Sequence, residues 1–290
     1  LLLEIRGSIV SGEIEKARAL VDSERARFGD SNEFSAEVAH LLYFEKKFPE
    51  AIKILEALIA TRTNAEESEL SDRVYWYLAE AYRNAGRIEK AIEVLGTQIA
   101  EQQKRYSHEH PLTIGSRLRR IELLSNVGNA TSAEQELMAI KPLLDQYYDQ
   151  GSAMQGHYHN VFGQVLADQN RLIEALAQFR KSLMAEEIAL GPEHENTLRQ
   201  HFNIAQMIAY TAMDRSEAYP HFLKAISGIE KKRGLSYSVA GFFRLEAAKS
   251  YFWDKDIESA REILTPPHAP MYFGAMPEGN RNSYLAALYY

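Results

Sequence analysis

Apolar positions in this chain come in pairs of amphipathic stretches, and residues 71–102 show the figure most clearly. Val74, Tyr75, Leu78, Ala79 and Tyr82 follow helical spacing, since residues three and four apart share one face of a helix. The run stops at Arg83-Asn84-Ala85-Gly86-Arg87, where Gly86 is free to take the left-handed conformation that ends a helix. Ile88, Ala91, Ile92, Leu95 and Ile99 then resume the i, i+3, i+4, i+7 pattern. The pattern predicts two antiparallel amphipathic helices joined by a short turn.

Residues 155–187 repeat it. Phe162, Gly163 and Leu166 mark the first helix, Asp168-Gln169-Asn170-Arg171 the turn, and Leu172, Ala175, Leu176, Phe179 and Leu183 the second. Small residues fall where the paired helices should cross, Ala79 against Ala91 and Gly163 against Ala175. A larger side chain there would overpack the contact by roughly 1–3 kcal/mol. Thr131-Ser132-Ala133-Glu134 reads as a capping box and Asn64-Ala65-Glu66-Glu67 as a similar start signal. Ser216 reads as an N-cap, which makes Pro220 an early-turn proline.

One residue of this figure recurs along the whole chain. Ala51, Ala91, Ala133, Ala175, Ala218 and Ala260 are separated by 40, 42, 42, 43 and 42 residues, and Ala17 lies 34 residues before the first. A fixed period of this size marks a stacked-repeat architecture, in which each unit buries its apolar face against its neighbours.

The pattern resembles the tetratricopeptide repeat (TPR), in about seven units across nearly the whole chain. The resemblance rests on Tyr75, Leu78, Ala79, Tyr82, Gly86, Ala91 and Leu95; on Phe162, Gly163, Leu166, Ala175 and Phe179; and on Ala247, Ala248, Tyr251, Ala260 and Leu264. The period exceeds the usual 34 residues by roughly two helical turns, so each helix can lengthen by about one turn and keep its buried face. The kinesin-light-chain-like branch has such a period and often a Gly-x-x-His-Pro-x-Thr-Leu stretch before the first helix. Gly191-Pro192-Glu193-His194-Glu195-Asn196-Thr197-Leu198 and Ser107-His108-Glu109-His110-Pro111-Leu112-Thr113-Ile114 match it imperfectly, with Glu195 in place of the proline and Ser107 in place of the glycine. The resemblance implies an all-α, right-handed superhelical solenoid of about seven helix pairs over residues 1–264.

Residues 265–290 differ. Pro266, Pro267, Pro270 and Pro277 with Gly274 and Gly279 forbid a continuous helix. Helical patterning returns over Asn282–Leu288. Two arrangements fit this segment: a loop and capping helix packed on the last repeat, or a self-ligand folded into the groove.

Composition narrows the chemistry. The net charge of −7 argues against a general nucleic-acid binder, which neutralises phosphates with Lys and Arg. Two basic clusters, Arg117/Arg119/Arg120 and Lys231/Lys232/Arg233, read as structural or solvated charge, the second suited to a helix C-terminus. The absence of cysteine excludes disulfides, thiolate zinc sites and thiol catalysis. No apolar run reaches the ~18 residues that span a bilayer, and no signal peptide is visible, which leaves cytoplasm and periplasm both open. The chain begins at Leu1 and reads as a fragment of a longer protein, with the oligomeric state open. No phosphate-binding loop, nucleophile elbow or two-histidine zinc helix is present. The His108/His110 and His157/His159 spacings place the rings on different sides of a helix. The expectation is therefore no enzyme, no cofactor and no metal.

In a TPR stack the first helix of each unit lines the concave side, and its face away from the partner helix is the candidate binding surface. The register selects His40 and Tyr43; Trp76, Glu80, Arg83 and Asn84; Glu122 and Asn126; Asn160 and Gln164; Asn203 and Gln206; and Lys249, with Trp253 beside it. Asn and Gln carry both donors and acceptors and can satisfy the main chain of an extended peptide, while Trp76 and Tyr43 offer flat apolar contact. Kinesin-light-chain-like repeats similarly use groove asparagines on peptides. The leading expectation is a non-catalytic protein- or peptide-binding scaffold. The alternative is a ligand-sensing or regulatory domain attached to a kinase or DNA-binding output domain in a bacterial signalling protein.

Overall fold

The computed structural model describes residues 1–29, 31–61, 68–211, 214–233 and 238–264. The described residues are all-α, with fourteen helices and no strand. Two compact units divide the chain, residues 1–132 and 133–290. The first holds α1 (Leu2–Val10), α2 (Ile14–Phe28), α3 (Asn32–Phe44), α4 (Phe48–Ala60), α5 (Ser68–Asn84), α6 (Ile88–Arg105) and α7 (Pro111–Asn126). The boundary falls in the first turn of α8 (Ala130–Tyr147); α9 (Ala153–Asp168), α10 (Leu172–Leu190), α11 (Glu195–Thr211), α12 (Ala218–Arg233), α13 (Ser238–Trp253) and α14 (Ile257–Leu264) follow in the second unit. The proline-rich segment and the signal at Asn64–Glu67 lie outside the described residues.

The alanine ladder is a packing device. Ala17, Ala51, Ala91, Ala133, Ala175 and Ala218 are wholly buried and Ala260 nearly so. Five residues before six of these seven alanines, Gly12, Lys46, Gly86, Gly128, Asn170 and Lys255 all have positive φ, between 60° and 82°. The next residue's N–H returns to a carbonyl five positions back, as in Arg87 to Tyr82 at 2.8 Å and Arg171 to Leu166 at 2.9 Å. This is the Schellman closure, which satisfies carbonyls left over at a helix C-terminus. The turn therefore has one geometry at these six described positions, with glycine at only three of them.

Unit 1 packs α1 on α2, α3 on α4 and α5 on α6; unit 2 packs α9 on α10, α11 on α12 and α13 on α14. The larger core of unit 2 runs from Leu166 and Phe179 through Leu198, Phe202, Ile208 and Phe222 to Phe243 and Ile263. Phe202 and Phe243 stack with centroids 3.9 Å apart. Gly163 is required here, since a Cβ would lie 2.6 Å from the Phe179 ring. Phe179, then, is the close neighbour of Gly163, in addition to any contribution from the expected Ala175.

Three local signals resolve differently. Because α8 already starts at Ala130, Thr131 and Ser132 lie inside its first turn instead of capping it. Glu134 is part-buried and accepts from Arg171 and Gln169. The Asp214 carboxylate accepts the Ser216 N–H at 2.8 Å, so the acceptor ahead of α12 is Asp214, while Pro220 does fall in the first turn. Pro142 lies inside α8. Lys231, Lys232 and Arg233 occupy the last turn of α12, where the helix dipole favours cations. The two family-like start motifs do begin helices. His110 Nδ1 accepts the Leu112 N–H at 3.3 Å ahead of α7, and His194 Nδ1 accepts the Asn196 N–H at 3.2 Å ahead of α11.

Candidate functional site

In both units side chains of successive first helices touch one another, and these contacts make two polar ladders of different chemistry. The ladder of unit 1 is ionic. Glu37 of α3 is 1% exposed, and its Oε1 accepts from Arg6 of α1 at 2.5 Å and from Arg73 of α5 at 2.7 Å. His40 Nδ1 lies 3.3 Å from Glu37 Oε2, and the Tyr77 hydroxyl lies 2.5 Å from His40 Nε2. Donation by Nδ1–H to the carboxylate leaves Nε2 to accept the Tyr77 proton. Burial alone would raise the Glu37 carboxyl, but the hydrogen bonds from His40, Arg6 and Arg73 outweigh it and lower it to about 2.

Three residues beyond Tyr77 on α5 the theme recurs. Glu80, 3% exposed, holds Arg83 of its own helix at 2.7 Å and Arg119 of α7. Arg119 also donates to Glu122 at 2.5 Å. Asn84 donates to the Tyr43 hydroxyl at 3.3 Å. Each buried carboxylate is thus paired and hydrogen-bonded, the condition under which a buried charge is tolerated.

Of the residues chosen from sequence in this unit, His40 and Glu80 are buried, and Tyr43, Arg83 and Glu122 are part-buried. Asn84, Asn126 and Trp76 are exposed. Trp76 packs edge-on against Tyr77 with centroids 4.7 Å apart. Arg6, Glu37, Arg73, Tyr77 and Arg119 were missed. Glu37 and Glu80 sit 43 residues apart, and carrying the period across charged positions would have linked them.

Unit 2 has an amide ladder. Asn203 of α11 donates through Nδ2 to Asn160 Oδ1 of α9 and to Gln200 Oε1, each at 3.3 Å. On the same face Gln206 and Tyr210 donate to Glu246 Oε2 of α13 at 3.4 and 2.9 Å, and Lys249 bonds the other oxygen of Glu246. Tyr210 and Trp253 rings meet at 5.3 Å, and the Arg215 guanidinium lies 5.4 Å from the Trp253 ring. Asn160, Gln164, Asn203, Gln206 and Lys249 are all part-buried. Gln164 donates to Asp168 on its own helix instead of crossing to a neighbour. Gln200, Tyr210 and Glu246 were missed, although Asn160, Asn203 and Glu246 follow at steps of 43 residues.

Behind the amide ladder lie two buried titratable groups. Glu186 of α10 is 3% exposed; burial pushes its carboxyl up to about 7 against hydrogen bonds from Gln200 and Ser182 that act the other way. His201 and His221 share a short Nδ1–Nδ1 contact of 2.7 Å, and burial lowers both rings, His201 to about 4. Among the described residues no group of three or more His, Asp or Glu side chains could hold a metal ion.

A tetratricopeptide-repeat family model matches residues 73–97, which take in most of α5, its Gly86 turn and the first half of α6. The same alternation of first and second helices fills the remaining described chain. The chain carries a tetratricopeptide repeat and has the TPR-like fold. Three solved TPR-like structures are similar to it. RapI in its apo form superposes with a TM-score of 0.67 at 14% identity, covering 98% of this chain and 97% of that one. NprR in complex with its cognate peptide NprX gives 0.62 at 13% identity, covering 99% and 85%. A Podosopora anserina putative kinesin light chain with nearly identical TPR-like repeats gives 0.52 at 18% identity, covering 69% and 95%. No curated protein matches the chain in sequence. No described TPR helix is long and apolar enough to cross a membrane.

Proposed function

We propose that this TPR chain is a non-catalytic scaffold that holds a peptide or protein segment along its first-helix faces. The observation that carries this reading is the Asn160–Asn203 contact. Two amides at equivalent positions of successive first helices are part-exposed and bonded to each other at 3.3 Å. Each therefore keeps hydrogen-bonding capacity for a third partner. NprR, which has a similar fold, is known with a bound peptide, which supports the reading. Gln206 and Lys249 extend the surface in unit 2. In unit 1, Trp76, Arg83, Asn84, Tyr43, Glu122 and Asn126 are the accessible or part-accessible members.

The test is capture of peptides from a random array by the 290-residue chain, followed by titration of the best binders. Asn160→Ala with Asn203→Ala should weaken those in unit 2 by about tenfold or more, since each lost hydrogen bond is worth about 1 kcal/mol. Trp76→Ala should weaken those that use unit 1. Failure to capture any peptide, or affinities indifferent to all three substitutions, would overturn the proposal.

A further inference from the structure

Glu186 is unusual among the buried acids of this chain. The buried Glu37 and Glu80 of unit 1 each hold two arginines. Glu186 instead receives Gln200 Nε2 at 3.4 Å on Oε1, while Oε2 has no hydrogen-bond partner. Ser182 Oγ makes only a long contact to Oε1 at 3.4 Å, since it donates more closely to the Gly156 carbonyl at 2.8 Å. Gly156 of α9 packs directly against Glu186, and a Cβ there would lie 2.8 Å from Glu186 Cγ. Arg199 of α11 is the charged residue that acts on the carboxyl. His201, its neighbour on α11, faces His221 and Glu187.

Hydrogen-bond chemistry runs from this carboxyl to the surface. An ionised carboxylate can only accept. Gln200 must therefore turn its NH2 group toward Glu186 and its carbonyl toward Asn203. Asn203 in turn must offer NH2, and it spends both protons on Gln200 Oε1 and Asn160 Oδ1. The groups left over are the Asn203 carbonyl and the Asn160 NH2. One acceptor beside one donor is the complement of the N–H and C=O of an extended peptide.

We propose that Glu186 is a positioning residue that fixes which of Asn160 and Asn203 presents a donor and which an acceptor, and so sets the direction in which a peptide main chain is held. A protonated Glu186 could donate, and Gln200 would then be equally well held by its carbonyl. The direction of the ladder would be released. The choice of ligand rests on the peptide-binding reading above; the coupling of Glu186 to the amides does not.

The test is side-chain amide NMR of the full chain, with 15N-labelled Asn and Gln and no ligand, between pH 5.5 and 8.5. Gln200, Asn203 and Asn160 should shift together with one midpoint near Glu186's own, at about 7. Glu186→Gln should make all three flat, while Gln206, held by Glu246, should not follow that midpoint in either protein. Asn203→Ala should leave Gln200 titrating and silence Asn160, a second route if Glu186→Gln does not fold. Amides that are flat in the wild type, or that still titrate in Glu186→Gln, would overturn the inference. Titration without peptide capture would overturn only the proposed function; capture without titration would overturn only this inference.

Discussion

The α5–α6 and α9–α10 pairs carry the same structural device with its charge on opposite helices. In each, a side chain seven residues after the repeat alanine reaches across to a first-helix carbonyl, Gln98 to Asp72 at 3.2 Å and Ser182 to Gly156 at 2.8 Å. In α5–α6 the carboxylate is on the first helix. Asp72 accepts from Gln102 at 2.8 Å and from the Tyr106 hydroxyl at 3.1 Å, with Arg105 3.5 Å away. In α9–α10 the first helix has glycine at that position, and Glu186 stands where Gln102 does. What is left unpartnered differs accordingly, amide carbonyls of Gln98 and Gln102 in one pair and a carboxylate oxygen in the other. The repeat tolerates an acid on either helix, but only the neighbours decide whether it can stay charged.

Placing both acids in one pair breaks the comparison most severely. Gly156→Asp would set an aspartate against Glu186 where even a methyl group lies 2.8 Å from Cγ. The loss should reach about 3–5 kcal/mol, as for a buried charge left uncompensated, read as a lowered urea midpoint. Adding Glu186→Gln recreates the Asp72–Gln102 arrangement and should recover a large part of that loss. Recovery should stay incomplete, because Ala189 and Leu190 stand where Arg105 and Tyr106 help Asp72. A double variant no more stable than Gly156→Asp alone would show that the two pairs are not equivalent.

Removing the best-paired acid should have the next largest effect. Glu37→Ala strands His40 and two arginines about one-third exposed, so the loss should fall near the low end for a broken buried pair, about 3 kcal/mol. The pH dependence separates the two kinds of acid by sign. Glu37 is lowered from its ordinary 4.5 to about 2, so its stabilisation is present above pH 4.5 and is lost as pH falls toward 2. Glu186 is raised from 4.5 to about 7, so its contribution is fully present below 4.5 and is lost as pH rises through 7. His159, His201 and His221, all lowered, lose stability on acidification below their ordinary 6.5 and oppose Glu186 there. The measurement is therefore a difference. Relative to wild type, Glu186→Gln should gain stability as pH rises from 5 to 8, and Glu37→Gln should lose its deficit as pH falls below 4. Parallel curves for wild type and Glu186→Gln would contradict the assignment.

These two acids also mark the limit of what the chain discloses before folding. The alanine period and the turn before it are legible because steric exclusion is local: a small residue at a crossing and a left-handed residue at a turn leave a mark at one position. Asn160 and Asn203 were each picked out by helix register, but their contact with each other was not foreseen. The burial of Glu37, Glu80 and Glu246 was not legible, because a polar residue on a helix face opposite the apolar stripe reads as exposed. Only the approach of the next first helix covers it, and no pattern within one unit reports that distance. His40 and Glu80 share this misreading. Chosen as surface, they lie 2% and 3% exposed inside the ionic ladder.

The smallest expected effect tests whether the turn itself is equivalent in both units. Lys46 in unit 1 and Lys255 in unit 2 each have φ of 62°, while Gly86 performs the same closure at 74°. Their N–H bonds match, Lys46 to Tyr43 and Lys255 to Phe252 at 3.0 Å and Gly86 to Arg83 at 3.1 Å. A left-handed conformation costs a non-glycine residue about 1–2 kcal/mol, partly offset because glycine loses more entropy on folding, by roughly 0.5–1 kcal/mol. Lys46→Gly and Lys255→Gly should each therefore stabilise, by no more than about 1 kcal/mol, and Gly86→Ala should destabilise by a similar amount. Nothing lies within 4 Å of a Cβ at Gly86, so that loss would report backbone strain and not a clash. If Lys46→Gly stabilises and Lys255→Gly does not, the lysine at 255 contributes something beyond its backbone, and the two turns are alike in geometry without being alike in energy.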